Sequence, residues 1–181
     1  VQCIPHLGAS AKQLFVFQRT PSSVDVRNNR ETDQEWAKSL KPGWQQERMD
    51  NFNLVVSGAD VEEDMVKDGW TDLSRRIRAR ISTLPPDQRT IPNMLAAYED
   101  SDYEKMEEIR ARVDTLVQDR ETAAALKAWY RQLCKRPCFH NEYLATFDRP
   151  SVALVDTQGR GVDCIAATGV RVQDRDYELD C

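Results

Sequence analysis

The sequence predicts an α/β chain in which a strand-bearing unit is split by a long helical insertion. Leu14, Phe15, Val16 and Phe17 form a short apolar run of β-formers, the pattern of a strand covered on both faces. From about residue 30 to 132 the apolar residues recur at helical spacing, and beyond Leu133 the chain returns to short β-branched segments punctuated by Gly159, Gly161 and Gly169.

Taken in order, a short helix is expected over Gln2 to Ala11, interrupted near Gly8, ahead of the strand at 14 to 18. A capping box, Thr32-x-x-Glu35, opens the helical block before Trp36 and Leu40, and Pro42-Gly43 closes that helix. A second helix carries Trp44, Met49, Phe52 and Val56. A third places Trp70, Leu73, Ile77 and Ile81 on one face until Pro85-Pro86 stops it. Met106, Ile109, Val113, Leu116 and Val117 give the clearest 3.6-residue stripe, and Leu126, Trp129, Tyr130 and Leu133 give another. Each stripe is explained as helix core by its period alone. The basic run Arg75 to Arg80 and the acidic stretch Glu99 to Glu121 read as solvated helix faces. In the last region, "SVALVDT" and "GVDCIAATGV" are expected as two strands and "VRVQDRDYELDC" as a hairpin arm. The order helix, strand, helical block, strands describes a partial Rossmann-like domain, residues 1–29 and 133–181, interrupted by an all-α insertion over 30–132 and completed by C-terminal β-strands.

Composition narrows the function. The 181 residues suit one domain or one domain with an insertion, and 40% hydrophobic with 30% charged residues is the balance of a globular chain. A net charge of -5 argues against a general nucleic-acid binder, whose footprint is a basic face. No apolar run approaches the roughly 18 to 20 residues of a membrane span, and no signal peptide is visible, so a cytoplasmic chain without membrane or obligate protein partner is expected. The five cysteines are odd in number and irregularly spaced, which predicts reduced, mostly buried thiols. Cys134, Cys138 and His140 lie close in sequence, but Lys135 and Arg136 between them would repel a cation, so no metal site is expected.

The polar end of the first strand carries the chemistry. In a doubly wound sheet, ligands sit beyond the carboxyl ends of the strands, and the second strand of a dinucleotide unit meets the adenosine ribose. An NAD site places Asp or Glu there. This chain places Arg19 and Thr20, with Pro21 preventing further pairing. A guanidinium matches a phosphate with parallel hydrogen bonds, which points to an NADP 2′-phosphate. An ordinary solvated arginine before a turn remains the competing explanation. Lys135-Arg136 adds a second cationic pair where the helical block ends, alternatively a pair answering a helix macrodipole.

The segments "VQCIPHLGASAKQLFVFQRTPSSVDVRNN" and "KRPCFHNEYLATFDRPSVALVDTQGRGVDCIAATGV" resemble the NADPH-binding domain of type I Baeyer-Villiger monooxygenases, most like the branch acting on bulky, steroid-like or polycyclic ketones. Phe-Gln-Arg-Thr-Pro and the Lys-Arg-Pro turn carry the match. The resemblance implies FAD and NADPH as cofactors, with O2 and a small-molecule ketone as substrates and an ester or lactone as product. It implies that Arg19, Thr20 and Lys135 contact the NADPH 2′-phosphate, that Gln2 also belongs to the cofactor site, and that Arg136 is the active-site arginine, its permanent charge holding the negative charge that oxygen transfer develops. The sequence holds no GxGxxG fingerprint, so an excised middle of a longer enzyme is expected, inactive by itself. A related N- or S-oxidising flavin monooxygenase, or a non-enzymatic helical interaction module, are the alternatives.

Overall fold

The computed structural model describes residues 1–181. Two compact units are formed, one by Val1–Asp25 with Glu108–Cys181 and the other by Val26–Glu107.

In the first unit, helix α1 (Ile4–Ser10) leads into strand β1 (Leu14–Gln18), which pairs in parallel with β4 (Val152–Asp156), Leu14 opposite Val152 and Gln18 opposite Asp156. The expected interruption at Gly8 does not occur. Gly8 is buried, and a Cβ there would lie 2.8 Å from Thr146 Cγ2 and 3.1 Å from Val152 Cγ2, so the glycine serves close packing rather than a break. A second parallel pair joins β2 (Val24–Asp25) to β3 (Cys138–Phe139). Arg112 pins it, donating to the carbonyls of Val24 and His140 at 3.0 Å and of Asn141 at 3.3 Å. Partial burial lowers the guanidinium's pKa from its usual value. The core gathers Val24, Val113, Val117, Leu126, Tyr143, Leu144, Phe147 and Val152.

Strands β5 (Cys164–Ala166), β6 (Gly169–Val172) and β7 (Arg175–Glu178) make a separate antiparallel sheet. "GVDCIAATGV" is therefore two strands, not one. The chain turns at Ala167-Thr168, where Gly169 (φ 155°) passes so close to Tyr177 that no side chain fits.

The second unit is helical: α2 (Gln34–Ser39), α3 (Trp44–Val56), α4 (Gly69–Ser82) and the first turns of α5 (Ile91–Leu116). Asp33, rather than Thr32, caps α2, accepting from the amides of Glu35 and Trp36. The basic run on α4 is not simply solvated. Arg78 donates to the carbonyls of Ala59 and Val61, Arg76 pairs with Asp72 at 3.0 Å, and Arg80 pairs with Glu104 at 2.7 Å. Through these partners, Arg78 fastens the 59–61 loop and Arg80 fastens α5 to α4. The unit boundary lies inside α5, whose last turns pack with α6 (Arg120–Leu126) in the core of the first unit.

The stripe expected through Leu133 ends early. Helix α6 stops at Leu126 because Lys127 is extended, and Trp129 and Leu133 are exposed on the segment that follows. None of the five thiols is buried: all are free, four are exposed and Cys138 is intermediate, since they sit in a turn, on an outer strand and near the chain ends. No helix is long and apolar enough to cross a membrane.

Candidate functional site

Backbone hydrogen bonding at the β1 exit sets the site. Gln18 is buried, and its side-chain amide donates to the Ala125 carbonyl at 2.8 Å. Its own carbonyl accepts from the Thr157 amide at 2.8 Å and from Thr157 Oγ1 at 3.0 Å. Thr157 Oγ1 in turn accepts from the Gly161 amide at 2.9 Å, and the Gly159 amide donates to the Arg19 carbonyl at 2.9 Å. The β4 exit loop thus wraps the residue preceding Arg19 and fixes the Arg19 backbone. Gly159 and Gly161 have positive φ (83° and 87°), which the tight return of that loop requires.

Beyond that anchor the side chains turn outward. Arg19 and Thr20 are exposed, as are Lys135 and Arg136. The Lys135 ammonium donates to Thr20 Oγ1, although the two residues are 115 apart in sequence. The two cationic motifs therefore converge at one strand end. No carboxylate pairs with Arg19, Lys135 or Arg136, so their charge faces outward uncompensated. That is the chemistry of an anion site. Arg136 follows Lys135 directly, its carbonyl facing Cys138 Sγ at 3.8 Å. Gln2 is exposed ahead of α1 and makes no hydrogen bond with the cations.

The macrodipole explanation for Lys135-Arg136 does not hold. The pair follows a single 3-10 turn, Gln132–Cys134, and Lys135 itself is extended, so no α-helix ends there. Sequence reasoning missed Tyr130, which it placed in a helical stripe. Its hydroxyl donates to the Pro21 carbonyl at 2.9 Å and accepts from the Ser23 amide at 3.1 Å, and the Lys135 ammonium stands 4.8 Å from its ring centre. It also missed Thr157. The groups that tie them to the β1 end, Pro21 and Ser23 for Tyr130 and Gln18 for Thr157, lie 109, 107 and 139 residues away, so spacing carried no signal for those contacts.

No family model matches the sequence. Individual proteins do. The chain is 55% identical over all its 181 residues to a Baeyer-Villiger monooxygenase of Stachybotrys chlorohalonatus, covering 29% of that protein, and 54% identical to the neopentalenolactone D synthase of Streptomyces avermitilis, covering 30%. Among solved structures, the polycyclic ketone monooxygenase of Thermothelomyces thermophila superposes with a TM-score of 0.79 at 44% identity, over 99% of this chain and 30% of that one. A steroid monooxygenase bound to NADP shares the fold at 22% identity and a TM-score of 0.63. Along its entire length the chain is similar to proteins described as Baeyer-Villiger monooxygenases, and it spans about 30% of the length of the relatives it matches.

Proposed function

We propose that this chain is the NADPH-handling segment of an FAD- and NADPH-dependent, cytoplasmic Baeyer-Villiger monooxygenase that inserts one oxygen atom of O2 beside a ketone carbonyl, giving an ester or lactone. The observation that carries the reading is the hydrogen bond from Lys135 to Thr20 at the end of β1, which gathers two distant cationic motifs into one outward-facing cluster. Residues 1–29 and 133–181 are the nucleotide-binding part and 30–132 its helical insertion. The relatives at 44% identity and above include a polycyclic ketone monooxygenase, which favours a bulky ketone substrate.

Bound cofactors supply the reducing electrons and the activation of O2; the chain's own residues recognise and position. Thr20 accepts from Lys135, which leaves its hydroxyl hydrogen free to donate to a phosphate oxygen. Arg19 offers a planar fork to the same group, and Lys135 adds a point charge. Gln2 contacts the cofactor with them. Arg136, one residue beyond Lys135, directs its permanent charge to the reacting centre, where negative charge grows during oxygen transfer.

In the full-length enzyme, Arg19→Ala and Lys135→Ala should each raise the KM for NADPH about tenfold or more while changing that for NADH little, because a charge-assisted phosphate contact is worth roughly 1.5 to 3 kcal/mol. Equal losses with both nucleotides would remove the phosphate role. In the same enzyme Arg136→Ala should abolish incorporation of labelled oxygen into the ester while NADPH oxidation continues. An undiminished ester yield would sink its assignment.

A further inference from the structure

We propose that Tyr130 is the positioning residue of the 2′-phosphate site, holding its two halves, Arg19-Thr20 and Lys135, in one arrangement through its hydroxyl and its ring face. The inference rests on the phosphate reading above and adds to it a residue that touches neither phosphate nor reacting atoms.

Tyr130 lies at a bend in the segment between α6 and the 3-10 turn before Lys135. Its hydroxyl serves two backbone groups of the loop that follows Thr20, giving a hydrogen bond to Pro21 and taking one from Ser23. Pro21 has no amide hydrogen, so this loop cannot secure itself by continuing the strand, and the phenol supplies the missing tie. Burial raises the phenol's pKa above its usual value, which keeps the donating hydrogen in place. The ring does separate work. The Lys135 ammonium sits over its face, and the same ammonium reaches Thr20. A flexible four-carbon lysine is thereby held at the strand end before any anion arrives, and the affinity otherwise lost in ordering it is retained.

The two functions of the side chain separate by substitution in the full-length enzyme. Tyr130→Phe keeps the ring and removes the loop tie; Tyr130→Leu removes both. The expected result is a rise in the NADPH KM of about three- to fivefold for Tyr130→Phe and about tenfold for Tyr130→Leu, with kcat and the NADH KM unchanged. In a Lys135→Ala background, Tyr130→Leu should add much less than it does alone, because its ring then has no cation to hold. Parallel losses with NADPH and NADH, or full additivity with Lys135→Ala, would overturn the inference and leave Tyr130 a packing residue. If Lys135→Ala itself leaves the NADPH preference intact, the phosphate reading fails. If Lys135→Ala lowers the preference and neither Tyr130 variant does, the positioning role alone fails. Should Tyr130→Leu not fold, the Tyr130→Phe comparison decides.

Discussion

Tyr143 is buried, with its ring edge-on to Phe147 at 5.2 Å between centres, and burial pushes its phenol up to about 12. An unfolded chain releases that proton near pH 10, whereas the folded one keeps it. The stability contributed is therefore full below about pH 10 and is lost as pH rises towards about 12, a total of roughly 2 to 3 kcal/mol. Denaturant unfolding across that window should show a shallower decline for Tyr143→Phe than for the parent chain; identical slopes would mean that the phenol ionises freely in the fold. Residue-scale legibility follows the distance to the partner. Arg19 and Thr20 were readable because a strand end and a proline mark them locally. Tyr130 was not, since the groups it serves lie 107 and 109 residues away.

Helix α1 shows how an element is held by what it lies against. A methyl group at Gly8 would meet Thr146 at 2.8 Å and Val152 at 3.1 Å, and the latter belongs to β4, the partner strand of β1. Gly8→Ala should gain up to about 1 kcal/mol in helix propensity and lose about 1 to 3 kcal/mol in overpacking, a net destabilisation. An unchanged unfolding midpoint would show that α1 can lift from β4 without cost. The same contrast explains which elements the sequence revealed. The stripe Met106, Ile109, Val113 and Val117 is buried as its period requires. The stripe through Leu133 has similar spacing, yet α6 ends at Leu126, and exposed Trp129 is stacked by Arg110 at 4.5 Å instead of packing in a core. Apolar period alone does not carry the point at which a helix stops.

Residues 1–181 together carry a net charge of -5, so the cations at the β1 end stand against the net sign of these residues. Their attraction for a phosphate is local and exposed, and salt screens it within about 8 to 10 Å at moderate ionic strength. Raising salt should increase the NADPH KM of the full-length enzyme while leaving the NADH KM nearly constant. Equal sensitivity would place the relevant charges elsewhere. At this scale the sequence showed the order of regions and the split of the parallel sheet. It did not show that the compact units divide within α5, because a continuous helical stripe crosses that point without punctuation. It read "VRVQDRDYELDC" as a hairpin arm, and β6 and β7 do pair antiparallel there, but it did not show that this sheet is separate from the parallel pairs.

The pairing of β1 with β4 also has a consequence in time. Gln18 closes onto Thr157, 139 residues later. At about 5 to 20 residues per second, a ribosome takes roughly 7 to 28 seconds to deliver the second strand after the first. Throughout that interval Leu14 to Phe17 is an apolar ribbon without its neighbour, emerging while the intervening helices are still being made. Closing so long a loop adds little to the entropy cost, which grows only with the logarithm of its length. The burden is one of waiting: the pairing of Gln18 with Thr157 cannot form until the intervening helices have been made.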